Sequence, residues 1–204
     1  MWSKNYKGVV TVNEIFYSLQ GEGFHTGTAS VFVRLSGCNL RCHFCDTRHE
    51  SGEEMSVQQI IDAVNRWPQA PLLVLTGGEP SLWIDETFVA ALKSQTGKMI
   101  AIETNGTRPL PKGIDWVTLS PKNTFLGGDL TPCILTHCDE LKVVYVGQDL
   151  EQYDYIETNH RYLQPCYVDA PTERQHNLEA CVDAVLAHPT WRLSLQTHRV
   201  LGIR

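Results

Sequence analysis

Seven short runs of apolar and β-branched residues punctuate the chain, at 30–35, 72–76, 99–103, 116–119, 141–146, 162–168 and 192–196, each closing near Gly, Pro or a polar residue. Such runs predict strands, because branched side chains pack well on a pleated surface and turn residues end them. Between some of them the period changes to that of a helix. Val57, Ile60, Ile61 and Val64 recur at helical spacing behind Ser56, which with Gln59 makes a capping-box pair. Phe88, Val89 and Leu92 repeat the spacing ahead of Gly97. Leu178, Cys181, Val182, Val185 and Leu186 predict a third helix, entered at Asn177 and halted before Pro189. Segments 108–113 and 123–132 read as loops.

Strands alternating with helices predict an α/β protein. Most of the strand runs are continuously apolar, which suits a parallel sheet covered on at least one face. Only three helices serve seven runs, and 204 residues fall short of the ~250 of a full eight-fold barrel. The expected fold is therefore an incomplete TIM-type barrel, a mostly parallel sheet of about six strands with few helices. No repeat, low-complexity tract or linker interrupts the pattern, so residues 1–204 read as one domain.

Composition narrows the function classes. With 42% hydrophobic and 20% charged residues, the chain is too apolar for disorder. It holds no apolar run near the ~20 residues that span a bilayer, so a membrane role is not expected. Seventeen Lys and Arg against 23 Asp and Glu give a net charge of −6, which lacks the basic footprint of a duplex-binding protein. Nucleic acid is not an expected partner. Segment 1–7 carries two lysines with no apolar stretch behind them, unlike a secretion signal, and a cytoplasmic location is expected.

Three of the seven cysteines, Cys38, Cys42 and Cys45, fall within eight residues just past a predicted strand. That crowding suits metal ligation better than disulfides. Cys-x-x-Cys spacing lets two sulfurs reach one metal or neighbouring irons, and the longer first gap admits a third. Three ligands would leave the fourth iron of a cubane open to a chelating ligand. A zinc site completed by His43 or His49, or three buried thiols, are the alternatives. Cys133, Cys138, Cys166 and Cys181 read as buried thiols rather than a second cluster.

Further polar groups stand at strand ends. Leu72 to Thr76 runs into Gly77, Gly78, Glu79 and Pro80, either a plain tight turn or a backbone edge open to a ligand, with Glu79 able to accept from an ammonium. Glu103, Thr104, Asn105 and Gly106 close the next run, and Ser120, Pro121 and Lys122 another. Before the cysteines, Leu19, Gln20, Gly21 and Glu22 form an acceptor-donor set suited to the amide edge of a heterocycle, or an ordinary surface loop. Arg34 could grip a carboxylate bidentately or sit in a structural ion pair.

The cysteine spacing, with Phe44 before the third cysteine, resembles the radical S-adenosylmethionine superfamily. The ordered set Ser-Leu-Gln-Gly-Glu-Gly, the cysteine triad with Asp46 and Thr47, Thr-Gly-Gly-Glu-Pro, Glu-Thr-Asn-Gly, Ser-Pro-Lys and Leu-Gln-Thr-His, spanning 13 to 198, resembles the 7-carboxy-7-deazaguanine synthase family. The resemblance implies contraction of 6-carboxy-5,6,7,8-tetrahydropterin to 7-carboxy-7-deazaguanine with loss of ammonia, in the biosynthesis of queuosine and other 7-deazapurines. It implies a 4Fe-4S cluster on Cys38, Cys42 and Cys45, and S-adenosylmethionine against Phe44, Gly78, Glu79, Thr104, Asn105, Ser120, Pro121, Lys122 and Gln164. It places the pterin at Leu19, Gln20, Gly21, Glu22, Arg34 and Thr76, with Arg204 as a further candidate, and Mg2+ on Thr47. It further implies a homodimer and an external, flavodoxin-like electron donor. A glycyl-radical activating enzyme and a non-enzymatic iron-sulfur or zinc module are the competing readings. Gln20 to Gly23 and Thr47 count against the first, and the glycine pair against the second.

Overall fold

In the computed structural model, residues 8–47, 49–122 and 132–204 are described. The predicted loop at 123–132 falls almost wholly outside them, as does segment 1–7. One nine-stranded sheet organises the rest: β1 (Val9–Leu19), β2 (Ala29–Leu35), β3 (Glu53–Ser56), β4 (Leu72–Gly77), β5 (Met99–Thr104), β6 (Trp116–Leu119), β7 (Glu140–Tyr145), β8 (His160–Pro165) and β9 (Arg192–Leu193). Their order is β3-β1-β2-β4-β5-β6-β7-β8-β9. From β2 onward every pairing is parallel, while β1 pairs antiparallel with both β2 and β3. The sheet does not close on itself, so it is an open, mostly parallel, barrel-like α/β fold, with nine strands rather than about six.

The helices are α1 (Val57–Val64), α2 (Glu86–Thr96), α3 (Pro171–Ala187) and the short α4 (Thr197–Leu201). Ser56 and Gln59 form the predicted reciprocal capping box on α1, and α2 ends at Gly97, whose φ of 64° is the left-handed conformation that suits glycine. The third helix starts at Pro171, six residues before the predicted Asn177. Its first turns are largely exposed, so they carry no apolar repeat to read, and Pro171 supplies the start instead. Two strands went unpredicted. β1 mixes Asn13 and Glu14 among its apolar residues, and β3 reads Glu53-Glu54-Met55-Ser56, an exposed edge.

Both faces of the sheet are buried, which is why the central runs look continuously apolar. One face packs Val31, Val33, Leu35, Leu73, Leu75, Ile100 and Ile102 against Ile60, Ile61, Val64, Phe88, Val89 and Leu92 of α1 and α2. Phe16, Phe32, Leu72, Val74 and Ala101 form a separate apolar cluster on the other face, inside the barrel. A third core joins Leu119, Leu141, Val143 and Leu163 to Cys181 and Ala184 of α3. Each fully buried Leu, Ile or Phe contributes roughly 1.5–3 kcal/mol. Cys133, Cys138, Cys166 and Cys181 are all buried, as expected.

Two segments finish the barrel. Because β1 runs against its neighbours, the loop after it enters at the N-terminal ends of the parallel strands. There Phe24 stacks on Trp116, the first residue of β6, at 4.8 Å and lies 4.5 Å from the ring of His160, the first of β8. The Phe24 amide donates to Glu140, the first residue of β7. Residues 20–28 thus stopper that mouth. The segment after β9 crosses the open side toward β1: the Thr197 amide donates to Gly21 O, Ser18 Oγ donates to Arg204 O, and Arg204 pairs with Glu14 at 3.0 Å.

Candidate active site

A cavity of about 580 Å³ opens within the barrel. It is lined by Cys38, Cys42 and Cys45, by Leu19, Gln20, Gly21, Glu22, Arg34, Thr76 and Arg204, and by Phe44, Thr47, Gly78, Glu79, Thr104, Asn105, Ser120, Lys122 and Gln164. Of the residues expected at the site, Pro121 does not line it and is buried. Groups up to 185 positions apart in the chain therefore share one chamber, chiefly because parallel strands deliver their C-terminal ends to one rim.

The three thiols stand on the loop after β2. Cys38 Sγ accepts from the Leu40 amide at 3.4 Å and faces Asn105 Nδ2 at 4.0 Å, donors suited to a thiolate. Burial pushes the Cys38 thiol up to about 11 and raises that of Cys42, so both stay protonated until something binds them. Among the described residues no three His, Cys, Asp or Glu side chains converge on one point, and neither His43 nor His49 completes a zinc tetrahedron. Three sulfurs spread along one loop wall suit a multi-iron cluster, whose ligands sit on different irons.

The Gly77-Gly78 turn lines the cavity and has a packing reason of its own. A Cβ on Gly77, where φ is 124°, would lie 2.2 Å from Leu35 O, and one on Gly78 would lie 2.0 Å from Gly37 O. The pair is glycine so that β4 can meet the cysteine loop backbone to backbone, joined by Gly78 N to Leu35 O and Glu79 N to Gly37 O, both 2.9 Å. Glu79, only 1% exposed, is already engaged: Oε1 accepts from the Ser81 amide, Ser81 Oγ and Thr104 Oγ1, and Oε2 from the Asn105 amide. Asn105 in turn donates to Asn39, so Glu79 and Asn105 lock the ends of β4 and β5 to the cysteine loop. Lys122 donates to Ser120 Oγ and lies 6.0 Å over the Phe44 ring, and burial lowers its pKa.

On the opposite wall, Arg34 donates through Nε to Glu14 Oε1 and through a terminal nitrogen to Thr47 Oγ1, both at 3.0 Å, and stands over Phe16. Arg204 takes the other Glu14 oxygen and lies over the same ring. Thr47 also donates to Asp46, so a divalent ion at its hydroxyl would meet the Arg34 guanidinium. The described residues do not by themselves form a magnesium site.

At the floor, Lys142 pairs with Glu22 at 2.6 Å and with Glu103 at 3.6 Å, while Gln20 Nε2 donates to Glu103 Oε1. Burial alone would raise the Glu22 carboxyl, but Lys142, helped by Gln196, holds it at about 2. Lys142 is pulled down by burial and up by Glu103, Glu22 and Glu140, and ends raised. Gln196 Nε2 bridges Glu22 Oε1 at 3.0 Å and Asp46 Oδ2 at 3.1 Å, and Arg199 holds the same Asp46 oxygen. Sequence reading missed Glu14, Lys142, Gln196 and Arg199 as site residues. Lys142 had a signal: Glu140 and Lys142 alternate inside an otherwise apolar run, which marks a strand with one polar face.

This cysteine loop at the C-terminal edge of an open parallel barrel, facing a chamber that can hold a chelating ligand, defines the radical S-adenosylmethionine class, and residues 32–124 match the Radical SAM superfamily. Over 193 residues the chain is 53% identical to 7-carboxy-7-deazaguanine synthase of Bacteroides thetaiotaomicron, covering 95% of this chain and 98% of that protein. It is 39% identical to the protein of the same name from Bordetella pertussis, with the same coverage of each. The crystal structure of QueE from Escherichia coli superposes with a TM-score of 0.72 at 27% identity, over 92% of this chain and 93% of that one. The chain belongs to the 7-carboxy-7-deazaguanine synthase family.

Proposed function

We propose that this protein is an enzyme that contracts 6-carboxy-5,6,7,8-tetrahydropterin to 7-carboxy-7-deazaguanine with release of ammonia, a carbon–nitrogen lyase of queuosine and 7-deazapurine biosynthesis. The observation that carries the reading is the single chamber that gathers the cysteine loop, the glycine turn and a polar floor. Its volume is that of a small-molecule site, which favours a pterin over the protein segment that a glycyl-radical activating enzyme must admit.

Cys38, Cys42 and Cys45 would hold a 4Fe-4S cluster, with S-adenosylmethionine between the cluster and the ends of β4, β5, β6 and β8, near Phe44, Gly78, Ser120, Lys122 and Gln164. When bound, these groups would supply the radical chemistry that acts at C6 of the pterin. The protein's own part is to orient and exclude. Arg34, tethered by Glu14, presents a guanidinium to the pterin carboxylate. Glu22 and Gln20 present an acceptor and an amide to the ring edge, and Thr76 lines the wall between. Glu79, Thr104 and Asn105 hold the cluster loop at fixed distance from that floor. A magnesium ion, if it takes part, would draw on the Thr47 hydroxyl as the protein's contribution. The whole chain acts as one domain, as a cytoplasmic homodimer served by a flavodoxin-like donor. No described helix is long and apolar enough to cross a membrane.

The test is mass spectrometry of an anaerobic reaction of the iron- and sulfide-reconstituted protein with S-adenosylmethionine, magnesium, reductant and the pterin. Formation of 7-carboxy-7-deazaguanine without stoichiometric loss of S-adenosylmethionine is expected. 5′-Deoxyadenosine without that product would keep the class and discard the substrate. In the same assay Cys42→Ala should lose both turnover and the cluster's visible absorbance, and full activity would sink the radical mechanism. Thr47→Ala should keep the cluster and weaken the response to magnesium; an unchanged response would remove Thr47 as a ligand.

A further inference from the structure

Lys142 has no place in the reaction as proposed, yet it is the most heavily paired cation in the chamber. The residue is 5% exposed, and its Nζ stands 2.6 Å from Glu22 Oε2 and 3.6 Å from Glu103 Oε1. The two carboxylates arrive from different elements, the loop after β1 and strand β5, and Glu22 lies 120 positions from Lys142 in the chain. A third, Glu140, is two residues away on β7, is buried, and accepts the Phe24 amide. Glu22, Glu103 and Lys142 line the cavity and Glu140 does not. Each Glu22 oxygen accepts one donor, from Lys142 or Gln196, and keeps a second acceptor site, whereas Glu103 Oε2 has no hydrogen-bond partner among the described residues.

We propose that Lys142 is a positioning residue for substrate recognition: fixed between Glu22 and Glu103, it keeps both as hydrogen-bond acceptors at the floor, so that the chamber selects a ring with a donor edge. The inference rests on the pterin reading, whose amino-pyrimidinone edge carries such N–H donors. Like charges this close in a low-dielectric space do not all stay ionised unaided. Without the ammonium, Glu22 loses the ion pair that offsets its burial and takes up a proton more readily, and an acceptor at the floor becomes a donor that opposes the donors of the substrate. The other groups facing this network do not replace the cation: Lys122 is committed to Ser120, the His198 ring packs over Gly21, and Tyr162 adds a weak acid beside Glu140. Burial raises the Glu140 carboxyl against the pull of Lys142.

The experiment compares wild type, Lys142→Met and Lys142→Arg as full-length, reconstituted, S-adenosylmethionine-loaded protein. Pterin affinity is read by calorimetry, KM and kcat by product formation, and pterin-independent 5′-deoxyadenosine release serves as the control for the rest of the site. Losing one charge-assisted contact predicts at least a ten-fold weaker pterin affinity and higher KM for Lys142→Met. Its S-adenosylmethionine affinity and basal 5′-deoxyadenosine release should stay at the wild-type level. The defect should shrink as pH rises and the extra proton leaves, a dependence absent from wild type, and Lys142→Arg should restore most of the affinity. Wild-type pterin affinity in Lys142→Met, or equal losses for pterin and S-adenosylmethionine, would overturn the proposal. If Lys142→Met does not fold, Lys142→Gln keeps N–H donors toward Glu22 and Glu103 without the charge; that variant should fold and bind pterin at least ten-fold more weakly, and wild-type affinity there would also overturn it. No pterin binding by wild type would remove the substrate reading itself, and with it the role given to Lys142.

Discussion

At Glu22, burial and pairing pull in opposite directions, and pairing wins. The carboxyl is held at about 2 against an ordinary 4.5, because Lys142 and Gln196 favour its charged form more than desolvation opposes it. A group with a depressed folded pKa contributes stability that is fully present above its unfolded value and lost as pH falls toward the folded one. The contribution of Glu22 should therefore be complete above about pH 4.5 and fade toward pH 2. Glu22→Gln is expected to cost on the order of 2–4 kcal/mol at neutral pH and to flatten the stability curve across that window. Chemical denaturation at several pH values measures both, and an unchanged slope would show that Glu22 is not held down. Residue chemistry was the most readable level of the chain. The cysteines, Arg34, Gln20 and Glu79 meet at the chamber, and Glu79 there also accepts from Ser81, Thr104 and Asn105. Local sequence names a carboxylate but not which donors reach it first.

Strand β4 and the loop after β2 form the hinge between fold and cluster, and their contact is close because Gly77 and Gly78 have no side chains. Gly78→Ala forces a methyl to within 2.0 Å of Gly37 O, a backbone atom with nowhere to go. A loss of roughly 1–3 kcal/mol or more is expected from the overpacking. Because the displaced segment carries Cys38, iron bound per chain after reconstitution should fall as well. Wild-type melting temperature and iron content would show that the two segments can part without cost. Elements with a strong internal rhythm were legible: β6 and α1 match their predicted bounds, as do the turns that end α2 and β4. Those whose outer face is polar, β1, β3 and the first turns of α3, were not, because an exposed or half-lumenal surface imposes no apolar period.

For the molecule as a whole, an open sheet raises the question of what closes the chamber. The C-terminal segment covers the side between β9 and β1, and the loop at 20–28 plugs the N-terminal mouth with Phe24 against Trp116 and His160. Phe24 is 45% exposed, so its worth lies in sealing rather than in core burial. Phe24→Ser should leave folding nearly intact yet admit water to the floor. The ratio of 5′-deoxyadenosine to deazaguanine product is then expected to rise a few-fold, measured by chromatography, because a wet site wastes radicals. An unchanged ratio would mean that the mouth is sealed without the ring.

The linear order of residues carried the fold class, the three main helices, the cysteine loop and the strand-end groups, since each depends on neighbours within one turn, one strand or one loop. It did not carry the floor. Glu22, Glu103, Lys142 and Gln196 come from separate elements, and Glu22 and Gln196 lie 174 positions apart. Their charges acquire a role only when β5, β7 and the two closing segments bring them into one chamber, where a single ammonium stands between Glu22 and Glu103.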